Sequence, residues 1–221
     1  MYKELFDEKK QNEMQRFFLD VVSPLGNFYT YNKNQIINID MEYFVAIVTK
    51  GRLKHCLCND NGGEKVLYFL KPGEIFGETD YFAGGNLNLT AISIEPTTIS
   101  VLSMELVDKL LYKEPLAYSY FIHSITRKYR ISIFQLSDLL FNSSKSKVAS
   151  TLYRLSLQDI TIENGKYIIT TPMTHEDLSH LIGCSRVTVT RVLKSLRVDG
   201  VISINKRKII INDINKLKSF I

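Results

Sequence analysis

The sequence predicts an α+β protein made of an N-terminal antiparallel β-roll, one long helix and a C-terminal winged helix-turn-helix. Three observations carry this. Short extended runs divided by turn residues fill residues 28–102, an apolar seam runs through residues 118–139, and two short helices meet at a glycine inside Thr174–Arg197. The expected division is the roll at 1–113, the long helix at 114–142 and the winged helix-turn-helix at 143–221.

The roll is read from seven runs: Phe28–Tyr31, Gln35–Ile39, Phe44–Thr49, Arg52–Cys58, Lys65–Leu70, Thr90–Ile94 and Thr98–Leu102. Between them stand Lys50-Gly51, Asn59-Asp60-Asn61-Gly62-Gly63, Lys71-Pro72-Gly73 and Ala83-Gly84-Gly85-Asn86, which are turn chemistry. Many short strands at this spacing close best as a small roll or barrel.

The long helix opens around Pro115 and runs to about Phe141. Along it Tyr118, Ile122, Ile125, Tyr129, Ser132, Leu136 and Leu139 recur at alternating steps of four and three, a seam that wants a partner helix. Phe121, Ile131, Ile133, Phe134 and Leu140 form further apolar faces for packing within the subunit, which leaves the seam for a second copy.

In the C-terminal region Thr174 caps a first helix, Asp177 stands in capping-box spacing, and Leu178, Leu181 and Ile182 form its apolar stripe. Gly183 ends that helix. The next begins near Ser185 and buries Val189, Val192, Leu193 and Leu196, leaving Arg186, Val187, Thr190, Arg191 and Lys194 on another face. A basic exposed face of this kind suits the major groove, where Arg bridges guanine O6 and N7. Val201–Ile204 and Ile209–Ile211 follow as the strands of a wing, with Lys206, Arg207 and Lys208 at its turn placed to meet phosphate.

Charge points the same way. Residues 143–221 hold 13 Lys or Arg against 6 Asp or Glu, whereas residues 1–142 hold 15 against 17. The basic excess lies where phosphate contacts are needed. With 221 residues, 45% hydrophobic, there is room for two domains. No apolar run approaches the ~20 residues that span a bilayer. The first residues, MYKELFDEKKQNEMQRFF, lack a signal-peptide core, so a cytoplasmic protein without membrane contact is expected. Three cysteines fit a reducing compartment.

The order of roll, long helix and winged reader resembles the CRP/FNR superfamily of transcriptional regulators. The matching text is YFVAIVTKG at Tyr43–Gly51, KPGEIFGE at Lys71–Glu78 and, most specifically, GCSRVTVTRVLKSL at Gly183–Leu196. The resemblance implies a cyclic-nucleotide-binding-like jelly roll and a homodimeric, effector-gated regulator on a palindromic operator, with RNA polymerase as a partner. Arg186 and Arg191 match the family's base-reading arginines, and Ser185 opens the same helix. Thr190 is assigned to phosphate or a base, and Lys194 to phosphate. Val187 stands where the family's namesakes carry glutamate. Valine offers only apolar contact, as to a thymine methyl, so an A·T-rich half-site is expected there. Thr161–Lys166, by family position, is the expected polymerase-contacting loop.

In the family's nucleotide-binding members a Gly-Glu pair holds the ribose and an Arg some ten residues later holds the phosphate. Gly77-Glu78 and Thr90-Ala91 match this element, with Thr79 beside it, but Leu89 takes the arginine's place. Leucine cannot pair with a phosphate, and no Arg or Lys lies between Lys71 and Lys109. The family's adenine-contacting Thr-Ser pair falls on Ser132 and Ile133. The expectation is therefore either a small-molecule effector other than a cyclic nucleotide, in a pocket using Glu78, Thr79, Leu89, Thr90, Phe121 and Ser132, or a protein without an effector that is controlled by its concentration.

Other sensing chemistries leave other marks. No cysteine precedes Cys56, which excludes the family's N-terminal iron-sulfur site. His55-Cys56-x-Cys58 lies on a strand, so His55 faces away from the cysteines and no metal site forms without a bulge; two buried cysteines or a thiol switch are the alternatives. A redox role for Cys184, in the reader's turn, stands beside simple packing. Haem would need an axial ligand, for which His123 is the candidate. His175 and His180 are expected to be exposed. A cupin-like enzyme is the competing class, but its clustered strand histidines are missing here, and no Ser-His-Asp spacing or phosphate-cradling loop appears.

Overall fold

The computed structural model describes residues 7–85, 87–158, 160–163, 165–205 and 208–221. The chain forms two compact units, Asp7–Ile131 and Ser132–Ile221.

In the first unit, α1 (Glu8–Arg16) starts where the Asp7 carboxylate accepts from the Lys10 amide at 3.0 Å. A wider turn at Phe17–Val22 continues it, and a tight one at Ser23–Leu25 ends it. Met14, Phe18 and Val22, four residues apart, are all buried. The strands follow: β1 (Asn27–Tyr31), β2 (Phe44–Lys50), β3 (Leu53–Cys58), β4 (Glu64–Leu70) and β5 (Ile75–Phe76). After a short α2 (Glu78–Ala83) come β6 (Leu89–Ser93) and β7 (Thr97–Ser103). They pair antiparallel in two sheets, in the orders β1-β7-β2-β5 and β4-β3-β6.

Six of the seven expected runs are strands. Gln35–Ile39 is not: Asn34, at φ 64°, turns the backbone, and only an isolated bridge from Ile36 to Ile92 forms. The two-residue β5 and the six-residue α2 were too short to show as periodicity.

β2 is buried on both faces. Val45 and Ile47 join Met14, Phe18, Leu102, Val107 and Phe121 in one core, while Ala46 and Val48 join Leu53, Leu70, Phe76 and Ile99 in the roll interior. Each of these side chains larger than alanine contributes about 1.5–3 kcal/mol of apolar burial. Next come α3 (Met104–Lys113) and α4 (Leu116–Phe141), which starts after Pro115 as the sequence predicts.

The second unit holds the last turns of α4, then α5 (Ser144–Leu155), β8 (Ile160–Glu163), β9 (Lys166–Ile169), α6 (His175–Ile182), α7 (Arg186–Val198), β10 (Ile202–Asn205), β11 (Lys208–Ile211) and α8 (Ile214–Lys218). Its sheet runs β10-β11-β9-β8. The expected wing is β10-β11, paired from Ile202–Ile211 to Asn205–Lys208. Of the expected loop, Thr161–Glu163 and Lys166 are strand residues, with Glu163 opposite Lys166, and β9 joins the wing through Ile210–Ile168. Among the described residues no helix is long and apolar enough to cross a membrane.

Candidate nucleic-acid interface and effector seat

The reader is positioned by its caps. The Thr174 hydroxyl accepts from the Asp177 amide at 3.0 Å, and the Asp177 carboxylate accepts from the Thr174 amide at 2.9 Å, completing the box that starts α6. Gly183 ends α6 at φ 77°, a left-handed backbone that favours glycine. Ser185 caps α7 by accepting from the Thr188 amide at 3.2 Å.

Val189, Val192, Leu193 and Leu196 of α7 are buried, as their spacing predicts. Arg186, Val187, Thr190, Arg191 and Lys194 are exposed, Val187 with 78% of its surface open. The arrangement presents two guanidinium groups, an isolated apolar side chain and an ammonium on one helix face, which is major-groove chemistry. Lys208 is exposed at the wing, whereas Lys206 and Arg207 lie outside the described residues.

Two corrections concern this surface. His175 and His180 are half-buried, and His175 Nδ1 lies 2.9 Å from the Thr190 hydroxyl, linking α6 to the exposed face of α7. The basic excess is also not all available to phosphate. Lys145 pairs with Asp199 at 3.5 Å and lies over the Phe220 ring, Lys218 lies over Tyr153, and Lys216 Nζ donates to the Asp199 carbonyl at 2.8 Å. These lysines fasten α8.

On α4 the seam residues Tyr118, Ile122, Tyr129, Leu136 and Leu139 are exposed, and Ile125 and Ser132 are half-buried. Phe121 and Ile131 are buried as expected of the inner faces. Ile133 and Leu140 are not. They are 45% and 65% exposed and widen the apolar strip instead of packing inward.

In the roll, Gly77 adopts φ 87°, and a Cβ there would lie 2.3 Å from the Phe44 carbonyl, so the Gly-Glu turn needs its glycine. Glu78 is 1% exposed. Its Oε1 accepts from Lys128 Nζ at 2.5 Å and from the Ser124 hydroxyl at 3.2 Å. Lys128, itself buried, also donates to the Ile75 carbonyl at 2.7 Å and lies 5.5 Å from the centre of the Tyr68 ring. The cation missing from the local sequence thus arrives from α4, fifty residues away, and no periodicity or motif announces it.

The other expected pocket residues lie on α2, β6 and α4. Phe121 is core, with its ring centre 5.2 Å from Phe18 and 5.3 Å from Phe82. Half-buried Leu89 and Thr90 sit on β6 opposite Leu57 and Cys56, Thr79 donates to Asp80 at 3.4 Å, and Ser132 belongs to the second unit.

His55 lies against the rings of Tyr68 and Phe76, whereas Cys56 sits beside Lys54 and Glu64, so the two face apart. The bulge in the β3-β4 ladder leaves β3 in unbroken register with β6. Burial, reinforced by Lys128, drives the His55 pKa down to about 3, and its Nδ1 has no partner among the described residues. Burial first and then Glu64 push the Cys56 thiol up to about 12, which makes it a poor nucleophile. Cys58 is exposed, contrary to the expectation of two buried cysteines, because β3 ends there at the hairpin turn. His123 Nε2 donates to Gln11 Oε1 at 3.0 Å, so that nitrogen is committed within the fold instead of presenting a lone pair to a haem iron. Burial, then Lys10 and Arg127, lower its pKa.

A roll followed by a capped helix-turn-helix with a basic exposed face defines a DNA-binding transcriptional regulator. Comparison with known proteins agrees. Residues 31–114 match the cyclic nucleotide-binding domain family, and residues 146–220 match the Crp-like helix-turn-helix domain family. The chain belongs to the CRP/FNR superfamily. It is 29% identical to the cyclic AMP receptor protein of Thermus thermophilus over 74% of this chain and 72% of that one. It is 25% identical to a CRP-like cAMP-activated global transcriptional regulator of Mycobacterium tuberculosis over 77% and 76%. In fold it resembles a CooA variant from Carboxydothermus hydrogenoformans, with TM-score 0.78 at 19% identity over 90% of this chain and 89% of that one. It also resembles FixK2 from Bradyrhizobium japonicum, with TM-score 0.73 at 18% identity over 88% and 96%.

Proposed function

We propose that the chain acts as a homodimer on an inverted-repeat operator, with one α7 helix in the major groove of each half-site. The exposed face of α7 carries this reading. Arg186 and Arg191 contact base edges, Val187 meets a thymine methyl, Thr190 meets a base, and Ser185, Lys194 and Lys208 lie along phosphate. The dimer forms along Tyr118, Ile122, Ile125, Tyr129, Ser132, Leu136 and Leu139, and two readers then meet half-sites about one helical turn apart. The working division keeps 1–113 for sensing, 114–142 for pairing and 143–221 for DNA. RNA polymerase is the downstream partner.

The effector is a small molecule other than a cyclic nucleotide. Support comes from Glu78, whose carboxylate is held by Lys128 and Ser124 within the chain, and from Leu89, which cannot neutralise a phosphate. Selection of duplexes from a random library by the full-length protein, with its mass measured by light scattering, tests the reading. Recovery of an inverted repeat by a dimer is the expected outcome. Recovery of unrelated sequences, or a monomer on DNA, would overturn it.

A further inference from the structure

We propose that His175 is a specificity-determining positioning residue: it fixes which way the Thr190 hydroxyl hydrogen-bonds, and so which base Thr190 reads. The inference rests on the proposal above that Thr190 faces base edges. A threonine hydroxyl carries one hydrogen and two lone pairs, and left free it rotates to suit donor or acceptor partners alike. In the major groove such a hydroxyl pairs with the amino groups of adenine and cytosine and with the acceptors of guanine and thymine. Alone, it would discriminate little.

Thr190 is not alone. It sits on the exposed face of α7, and His175 Nδ1, in the first turn of α6, stands 2.9 Å from its oxygen. The start of the helix that carries the imidazole is anchored. Thr174 and Asp177 fix the start of α6 through their reciprocal bonds, and the turn at Gly183 fixes α6 against α7. With the imidazole hydrogen on Nε2, the tautomer this proposal requires, the Thr190 hydroxyl donates its one hydrogen to Nδ1. Only lone pairs then face outward, and Thr190 becomes an acceptor for the N6 amino group of adenine or the N4 amino group of cytosine. Guanine O6 and thymine O4, being acceptors, are rejected. His175 itself contacts no base in this scheme and acts through Thr190.

The test measures affinity of full-length protein for four duplexes that differ only at the base pair Thr190 faces, identified as the position where Thr190→Val loses preference. Wild-type protein prefers adenine or cytosine there by roughly fivefold, of the order one neutral hydrogen bond contributes. His175→Ala abolishes that preference and leaves the other positions unchanged, and the double variant His175→Ala/Thr190→Val behaves as Thr190→Val alone. His175→Asn, whose side-chain carbonyl stands near the place of Nδ1, restores the preference. A uniform loss across all four duplexes in His175→Ala would mean a phosphate contact only, and it overturns the inference. So do additive effects in the double variant. If Thr190→Val alters no position while the operator is still bound, Thr190 reads nothing and this inference fails alone. If wild-type protein selects no operator, the proposed function fails with it.

Discussion

Asp138, near the end of α4, and Arg154, in α5, form a buried ion pair inside the reader unit, their side chains 6% and 5% exposed. The carboxylate is fully used. Ser150 donates to Oδ2 at 2.9 Å and Asn142 Nδ2 to Oδ1 at 2.7 Å, while Arg154 also donates to Ser150 and Thr151. The last turns of α4 are therefore part of the reader's own architecture, and Lys147 reinforces this by donating to the Leu139 carbonyl at 3.1 Å.

Removing one partner leaves the other buried and uncompensated. Asp138→Leu is expected to lower stability by about 3–5 kcal/mol in chemical denaturation, whereas Asp138→Leu/Arg154→Met costs much less because no bare charge remains. Equal losses in the single and double variants would show that the pair is not the element at stake.

The same logic applies to Glu78 and Lys128. Lys128→Met strands a buried carboxylate and is expected to lower the melting temperature by several degrees, with Glu78→Gln/Lys128→Met recovering part of it. Cyclic AMP at millimolar concentration should leave the wild-type melting temperature unchanged. A ligand that binds the folded state must raise it, so a clear rise would refute the reading of the seat.

His55 makes stability depend on pH. Its folded pKa, about 3, lies below the ordinary 6.5, so the unfolded chain takes up a proton below pH 6.5 while the folded chain refuses it until near pH 3. The contribution is complete above pH 6.5 and is lost as pH falls, by about 1.4 kcal/mol per unit between those limits. Denaturation across that range should show the decline in wild-type protein and a shallower one in His55→Phe. Parallel curves would count against it.

Val187→Glu replaces an apolar contact with a carboxylate that accepts from a cytosine amino group. Preference at the facing base pair should move from A·T to G·C, by about 1–3 kcal/mol of discrimination. A repeated binding-site selection with an unchanged logo would contradict the placement of Val187.

Ile122 lies on the proposed dimer seam with 60% of its surface open, so its replacement should not disturb the subunit's own core. Ile122→Glu is expected to give a folded monomer by light scattering, with operator affinity reduced at least tenfold because one reader no longer brings the second. A dimer of unchanged mass would move the interface elsewhere.

The reader was legible because its signals are local. Thr174 and Asp177 are three residues apart, Gly183 needs its own backbone angle, and the buried face of α7 repeats every three or four residues; each follows from helix geometry acting over one or two turns. Most strands of the roll were legible for the same reason, through alternation and turn chemistry, whereas β5, β8 and β9 were not. The sequence by itself determined the order of roll, helix and reader, and which face of α7 is basic. Tertiary structure alone decided what lies across the fold. Lys128 meets Glu78 from fifty residues away, His175 meets Thr190 across two helices, Arg154 meets Asp138, and three lysines of the basic region are spent on α8. Side-chain pairing between elements has no period along the chain. It is set by how packed backbones bring distant residues within hydrogen-bonding reach, and that physics acts only once the core has formed.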